Sequence, residues 1–268
     1  MTDPVIDDLD EVWRSIVDLG EQLSEEEWKR PTDLPAWTVQ DNLSHIIGTE
    51  RDMRGEPTPD VIPPTDAHVH NAIGEMNERW VESRRGLPGA AVLEEFRTVT
   101  AERMATYRAL SPAELDAVGP TPVGDAPFRE YLAVRVMDSW THEQDMRRAV
   151  GRPGHLEGPA VALSIGRVTR AMPMVVGRRA GAPDGASVVF VLAGPEGGVV
   201  PVVVDGRASV VATPPADPTV ELHLDVETYA ALGMGRLDPN EALAQGRVTF
   251  VGDADLGRAV VTSMKFMI

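Results

Sequence analysis

Three side chains in this sequence have the types and spacing of a metal-binding site. Asp138 and His142 are four residues apart in a helical segment, and residues at this spacing lie on one face of a helix, about one turn apart. A carboxylate and an imidazole in that arrangement can bind the same metal ion. His45, about two turns into another predicted helix, is the best third ligand. A three-ligand set would leave a coordination position open for water or substrate.

The same residues also have a plainer interpretation. An Asp and a His at this spacing often form only an ion pair or a hydrogen bond on a helix, and the spacing alone favours that reading. His68 and His70 flank the start of a predicted helix after a Pro-rich loop, where such a pair is more often solvated than bound to metal. His155 and His223 are predicted to be structural. Core or helix packing is predicted for the five tryptophans: Trp13, Trp28, Trp37, Trp80 and Trp140.

The elements that must position the three ligands are helices in the first half of the chain. An apolar stripe with helical spacing runs from Val5 to Leu23. Capping patterns at Ser24 and Thr38 begin a short helical turn and then a helix that extends to about Gly55. Further helices are predicted over about 66–85, 88–110 and 128–151, with Pro-rich connections over 56–64 and 111–127. This pattern favours a helix bundle.

The second half has a different texture. Helical spacing continues over 156–176, where Pro173 is expected to end or kink the helix. Short Val-rich runs then predict strands, and Asp205-Gly206 is a hairpin signal. The predicted strands are 187–192, 199–204, 208–212, 219–224 and 248–251, with helices over 226–232, 239–245 and 253–264. The sequence thus predicts an α+β protein of two domains, residues 1–152 and 153–268, the second an antiparallel sheet covered on one face by helices.

Composition excludes several classes of protein. The 268 residues carry a formal net charge of -17, which argues against nucleic acid or an anionic membrane as partner. The chain has no cysteine, so it has neither disulfides nor thiolate metal ligands nor a thiol nucleophile of its own. The N-terminal segment lacks the features of a signal peptide, and no apolar run reaches the roughly 18 residues of a membrane helix. We therefore expect a cytoplasmic protein.

Two motifs around these ligands carry a family resemblance. The stretch AWTVQDNLSHIIG contains a W-T-V-x-D-x-x-x-H pattern whose histidine is His45. The stretch RVMDSWTHEQDMRRAVGRPG contains Asp138 and His142. Together they resemble the mycothiol-dependent maleylpyruvate isomerase family, whose N-terminal domain is a DinB-like four-helix bundle. The tail LDVETYAALGMGRLDPNEALAQGRVTFVGDADLGRAVVTSM is similar to a sterol-carrier-protein-like domain, which the same family carries at its C-terminus. The resemblance covers nearly the whole chain.

The resemblance implies a chemistry. In that family a divalent metal, usually zinc, is held by residues that correspond to His45, Asp138 and His142, although the isomerase itself has Glu where this chain has Asp138. The open metal position accepts mycothiol, and the thiol attacks a small electrophilic substrate. The use of an external thiol would account for the absence of cysteine from the chain. The arginine-rich composition, with only two lysines, fits an actinobacterial host. The resemblance also implies an arginine from the second domain that faces the metal. Arg236 is the preferred candidate and Arg247 the other, and a solvated arginine in a turn is at least as good a reading of each.

The sequence is compatible with more than one function. The resemblance does not distinguish an isomerase from an S-transferase. In either enzyme, Asp145 is a candidate to orient a metal ligand. A second hypothesis is a non-catalytic protein that binds an apolar ligand in the sterol-carrier-like domain. A third is a metal-binding paralogue with a regulatory role. The sequence does not determine the oligomeric state.

Overall fold

A computed structural model describes residues 3–62, 69, 71–121 and 124–266. The chain forms two compact units, Met1–Gly154 and His155–Ile268. The predicted α+β class with a helical first domain is confirmed. Within the described residues, no helix is both long enough and apolar enough to span a bilayer.

The first unit is a helix bundle. Its helices are α1 Pro4–Gly20, α2 Glu25–Trp28, α3 Val39–Asp52, α4 Ala72–Arg85, α5 Gly89–Arg108, α6 Pro112–Leu115 and α7 Phe128–Val150. Four helices, α1, α3, α5 and α7, make the bundle, in which α1 and α3 each pack against both α5 and α7. A further helix, α4, lies along α3. The predicted start of the third helix near Asp66 lies outside the described residues, and α4 itself begins after Asn71, whose side chain caps it. The connection before α7 holds α6 and a small two-stranded ladder, β1 Val118–Gly119 and β2 Ala126–Pro127.

The bundle core follows the apolar stripes of its helices. Trp13 of α1 packs edge-to-face on Phe96 of α5, with ring centroids 6.4 Å apart. The helices α1, α3, α5 and α7 also contribute fully buried aliphatic residues, among them Leu9, Ile16, Leu43, Ile47, Val92, Leu132 and Val136. Their burial holds α3 and α7 side by side, and these are the two helices that carry the three candidate ligands.

The second unit begins with α8 Pro159–Pro173, which continues into a π-helical turn over Met174–Arg179. Five strands follow, with helices around them: β3 Ser187–Ala193, β4 Gly198–Asp205, β5 Arg207–Val210, β6 Val220–Asp225, α9 Val226–Gly233, α10 Pro239–Ala244, β7 Thr249–Gly252 and α11 Ala254–Thr262. Phe190 of β3 and Tyr229 of α9 are fully buried and pack edge-to-face, with ring centroids 5.5 Å apart. Because the π-helical turn follows α8 directly, Pro173 changes the geometry of the helix and does not end the helical path.

The prediction of an antiparallel sheet was wrong at the centre of the sheet. The strand order is β5-β4-β3-β6-β7, and β6 runs parallel to β3, with Phe190 opposite Leu222. All other neighbouring strands are antiparallel. The hairpin signals correctly predicted the pairs joined by tight turns. The Pro-rich segment 211–219 instead carries the chain from β5 across β4 and β3, so that β6 joins the far side of β3 in the parallel sense.

Glycine-to-alanine substitutions at two helical positions, one in each unit, should have opposite effects on stability. A Cβ at Gly48 of α3 would overlap the Trp80 side chain of α4, whereas a Cβ at Gly166 of α8 would have nothing within 4 Å. We expect Gly48→Ala to lower the free energy of unfolding by about 1–3 kcal/mol, because the closely packed helices must separate. Gly166→Ala should raise it by roughly 0.5–1 kcal/mol through helix propensity. Urea denaturation measures both, and equal effects of the two variants would contradict the close packing of α3 on α4.

Candidate metal centre

His45 is placed by the start of α3. The Thr38 hydroxyl accepts a hydrogen bond from the backbone N–H of Asp41, and the Asp41 carboxylate accepts one from the backbone N–H of Thr38. This reciprocal cap sets the first residue of the helix and therefore the face on which each later side chain lies. His45 falls on the buried face and is only 7% exposed.

Asp138 and His142 are placed by α7. This helix ends at Gly151, which adopts the left-handed conformation with φ 68° that glycine tolerates best. The two residues lie one turn apart on the face of α7 that packs against α3. His142 is buried, and the Asp138 side chain is 19% exposed.

The three side chains meet around one point. Asp138 Oδ2 lies 3.5 Å from His45 Nε2, and Asp138 Oδ1 lies 3.6 Å from His142 Nε2. One donor atom from each residue lies within 4.8 Å of the other two. Two imidazole nitrogens and a carboxylate oxygen at this separation are a donor set that suits Zn²⁺ and similar divalent ions. The donors thus fit a metal ion held by three protein ligands.

Asn42, which the sequence motifs do not single out, orients one of these candidate ligands. Its side-chain Nδ2 donates to the Thr38 carbonyl oxygen at 2.9 Å, which leaves Oδ1 to accept from His142 Nδ1 at 2.7 Å. A proton on Nδ1 leaves Nε2 of His142 as the nitrogen with a free lone pair. Asp145, the residue expected to orient a ligand, lies slightly farther from the same nitrogen, at 3.4 Å, and pairs with Arg148. Asn42 precedes His45 by three residues, so its helical spacing was the signal available.

Trp37 forms an aromatic wall beside the two imidazoles. Its ring centroid lies 5.3 Å from that of His45 and 5.8 Å from that of His142. The ring is held by an indole N–H bond to the buried Glu78, and it follows Ala36, whose φ of 64° is unusual for a residue other than glycine. The prediction of core packing fits the four other tryptophans, which are buried. Trp37 is half-buried and covers one side of the site.

Electrostatics distinguish the three candidate ligands. Burial would raise the pKa of Asp138, but the charge of Arg135 and the two imidazoles hold it well below its usual range, so this residue is a carboxylate. Burial lowers the pKa of His45, and Asp138 only partly offsets this. Burial acts in the same way on His142, yet Asp138 and Asp145 together raise its pKa. The site therefore combines a fixed anion with one imidazole that is readily neutral and one that carries a proton more easily.

A chain of buried charges leads away from Asp138. Arg135 bonds Asp138 through Nη1 and donates from Nε to Glu50 Oε1 at 2.9 Å. Glu50 is fully buried, and its second oxygen accepts from Arg103 Nε at 3.0 Å and from the Tyr107 hydroxyl at 2.8 Å. These contacts join α3, α5 and α7 behind the candidate metal ligands.

Both candidate arginines lie in the second unit. Arg236 follows α9 and donates from Nη1 to the Met234 carbonyl at 2.9 Å. Arg247 donates from Nε and Nη2 to the hydroxyl of Thr228 in α9, at 3.1 and 2.8 Å, which indicates a structural role. A catalytic role for Arg236 stays a prediction.

Of the remaining histidines, the two that the structure describes, His155 and His223, are not part of the cluster. His223 lies in β6 and has Nε2 3.2 Å from a Glu221 carboxylate oxygen. His155 begins the second unit with a φ of 51°. His68 and His70 lie outside the described residues.

Replacing Asn42 by Ala should weaken metal binding without unfolding the bundle. Without its acceptor, the His142 ring loses both its orientation and its preferred tautomer, and such losses typically cost about 10- to 100-fold in metal affinity. Competition with a chelating dye measures the dissociation constant. Asn71→Ala is the control, because Asn71 only caps α4 and its loss should change stability but not metal affinity. Equal metal affinity in the Asn42→Ala variant and the unmodified protein would contradict this role.

Comparison with known proteins agrees with this architecture. Residues 9–147 match the family model for the mycothiol maleylpyruvate isomerase N-terminal domain, and residues 180–265 match the SCP-2 sterol transfer family. The alignment with a crystal structure of the mycothiol-dependent maleylpyruvate isomerase covers 92% of this chain and 91% of the chain in that structure, with a TM-score of 0.59 at 16% sequence identity. A histidine-to-alanine mutant of an enzyme of that name gives a TM-score of 0.57 with the same identity and coverage. No curated protein matches the chain significantly.

The structural likeness, at this low identity, is evidence for a shared two-domain fold. The family evidence comes from the N-terminal match, which spans more than half of the chain and contains α3 and most of α7, with all three candidate ligands. The resemblance inferred from the two motifs is therefore confirmed, and this chain belongs to the family defined by the mycothiol maleylpyruvate isomerase N-terminal domain.

Proposed function

We propose that this protein is a metal-dependent enzyme that uses mycothiol as cosubstrate to act on a small electrophile. The observation that carries the proposal is the cluster of His45, Asp138 and His142, whose donor atoms converge in the domain that defines the family. Cis–trans isomerisation is the favoured reaction, because the solved structures with the same fold are of a mycothiol-dependent maleylpyruvate isomerase. An S-transferase is the second reading of the same site.

The chain's own residues supply the binding and orientation. His45 and His142 would hold the cation through Nε2, and Asp138 would hold it through a carboxylate oxygen. Asn42 keeps the His142 tautomer that presents Nε2, and Trp37 shields the two imidazoles from water on one side. When bound, a divalent cation such as zinc would lower the pKa of a coordinating thiol, so that thiolate is available at neutral pH.

Thiol catalysis of isomerisation needs no net redox change. The sulfur of the thiolate adds to one carbon of a conjugated cis double bond, and the pair of π electrons moves onto the conjugated carbonyl group. Rotation about the resulting single bond and loss of the thiolate restore the double bond in the trans form. A protein with no cysteine depends on an external thiol for this chemistry.

Metal analysis and a thiol-dependence assay test the proposal together. Protein purified without a His-tag is expected to contain, or to take up, about one equivalent of a divalent metal per chain. With maleylpyruvate as the first substrate tested, turnover should require both the metal and mycothiol, and a chelator should abolish it. Failure to acquire any of Zn²⁺, Ni²⁺, Mn²⁺ or Fe²⁺ would sink the proposal. Metal- and mycothiol-dependent formation of a thioether product, in place of the trans isomer, would select S-transfer.

The apolar-ligand hypothesis is a separate prediction about the second unit. The match to a sterol transfer family is the observation that favours it. Extraction of the purified protein with organic solvent, followed by mass spectrometry, would detect a co-purified lipid. A stoichiometric lipid, in protein that shows no metal- and thiol-dependent turnover, would replace the enzymatic proposal with this one.

A further inference from the structure

The guanidinium of Arg135 is placed between a ligand of the candidate metal centre and a buried glutamate. We propose that Arg135 is a positioning residue: it occupies Oδ2 of Asp138, so that this carboxylate offers one oxygen to the metal and a coordination position stays open for the thiol. The inference rests on the proposed function, because it concerns the same site. It goes further by naming the residue that keeps the site accessible to its cosubstrate.

The contacts at Asp138 separate its two oxygens. Oδ2 accepts the hydrogen bond from Arg135 Nη1 and also lies 3.5 Å from His45 Nε2, whereas Oδ1 lies 3.6 Å from His142 Nε2 and has no contact with Arg135 among those described. An oxygen engaged by a guanidinium in a charge-assisted hydrogen bond has less electron density to offer a cation. A carboxylate without that bond can bind a metal through both oxygens, and it then takes two coordination positions. Arg135 therefore favours binding through one oxygen.

Glu50 prevents Arg135 from turning away. The Arg135 Nε–H donates to Glu50 Oε1 at 2.9 Å while Nη1 holds Asp138, so one planar group bridges two carboxylates in a fixed orientation. Glu50 is itself fixed by Arg103 and the Tyr107 hydroxyl through its other oxygen. Lysine could keep the charge of Arg135, but its single nitrogen could not reproduce this bridging geometry.

Stability alone does not explain this arrangement. Arg135 is 3% exposed, and its Nη2 has no hydrogen-bond partner among the described residues, so the fold carries the cost of an unsatisfied buried donor. A well-packed apolar side chain at this position would often be equally stable. A buried arginine that is incompletely satisfied and lies against a metal ligand fits a positioning role.

Arg103 provides a matched control. It is buried like Arg135 and donates to the same Glu50, yet the described contacts of Arg103 include none of the three candidate ligands. Arg135→Met and Arg103→Met each remove one buried positive charge from the same network. In both variants Glu50 keeps one arginine partner and the Tyr107 hydroxyl. Only Arg135→Met releases Oδ2 of Asp138.

The test uses the full-length protein loaded with Co²⁺, whose visible absorption reports coordination number. We expect Arg135→Met to bind Co²⁺ within about threefold of the unmodified affinity, because the second oxygen replaces lost orientation, and to show weaker visible bands typical of a higher coordination number. Mycothiol titration, followed by the near-ultraviolet thiolate-to-cobalt band, should show at least a tenfold weaker thiol affinity. Arg103→Met should match the unmodified protein in both spectra. Arg135→Lys should fall between them.

The outcomes separate this inference from the proposed function. If the unmodified protein binds no Co²⁺, the metal centre itself is wrong. If it binds Co²⁺ and mycothiol, but Arg135→Met gives the same visible spectrum and the same thiol affinity, Arg135 does not position Asp138 and the inference is overturned. Circular dichroism checks that each variant is folded, and Arg135→Lys, which keeps the buried charge, gives the same comparison if Arg135→Met does not fold.

Discussion

Replacing His142 by Ala should reduce metal affinity by at least about 100-fold and bring thiol-dependent turnover to background, because one of only three protein ligands is lost. His142 cannot be replaced locally. Its Nε2 lies near Oδ1 of Asp138, whereas that of His45 lies near Oδ2, and without His142 a cation would keep only two protein donors. The measurements are metal content after dialysis and initial rates with mycothiol present and absent.

His223→Ala is the control for this experiment. His223 lies on β6 in the second unit and pairs with Glu221, so its loss should leave metal content and rate unchanged. A His142→Ala variant that retains a full equivalent of metal would show that the cluster is an ordinary hydrogen-bonded contact between α3 and α7. That is the plainer reading of an Asp and a His one turn apart.

Glu50→Gln should cause a large loss of stability, about 3–5 kcal/mol in the free energy of unfolding. Glu50 is fully buried and is the shared partner of Arg103 and Arg135, so the amide would leave two buried guanidinium groups without their common counter-charge. The shape of the side chain is nearly unchanged, and the loss would therefore report charge rather than packing. Urea denaturation of the metal-free protein measures it without a contribution from metal binding.

Glu56→Gln is the matched comparison. Glu56 lies just after the same helix and pairs with Arg51 and Arg54 at a half-exposed site. Solvent screens such pairs, so the variant should lose no more than about 1 kcal/mol. If Glu50→Gln cost as little as Glu56→Gln, the buried charge network would contribute nothing specific to the bundle.

The elements of this protein follow closely from local sequence patterns. The capping pair at Thr38 and Asp41 predicts the start of α3, and Gly151 predicts the end of α7. The alternating Val-rich runs and the Asp205-Gly206 turn predict β4 and β5. Such signals are local because helix caps, turns and side-chain periodicity involve residues within a few positions of one another.

The order of strands is a different kind of property. Nothing in the runs 187–193 and 220–225 states that they lie side by side and parallel, because that pairing depends on the route of the intervening chain. The turn signals around β4 and β5 indicate antiparallel hairpins, and from them the sequence predicts that all strands of the sheet are antiparallel. The Pro-rich crossing over 211–219 overturned it.

By itself the sequence determined the long helices of the bundle, the strands of the second unit, the family and the three residues that the structure brings together. Tertiary structure alone decided what surrounds them: the Asn42 contact with His142, the Trp37 wall and the bridge of Arg135 from Glu50 to Asp138. The reason is separation along the chain. Asn42 and His142 are 100 positions apart, and Glu50 and Arg135 are 85 positions apart, so no local periodicity relates them. Only the packing of α3 against α7 joins these pairs, and that packing is set by the whole core of the bundle.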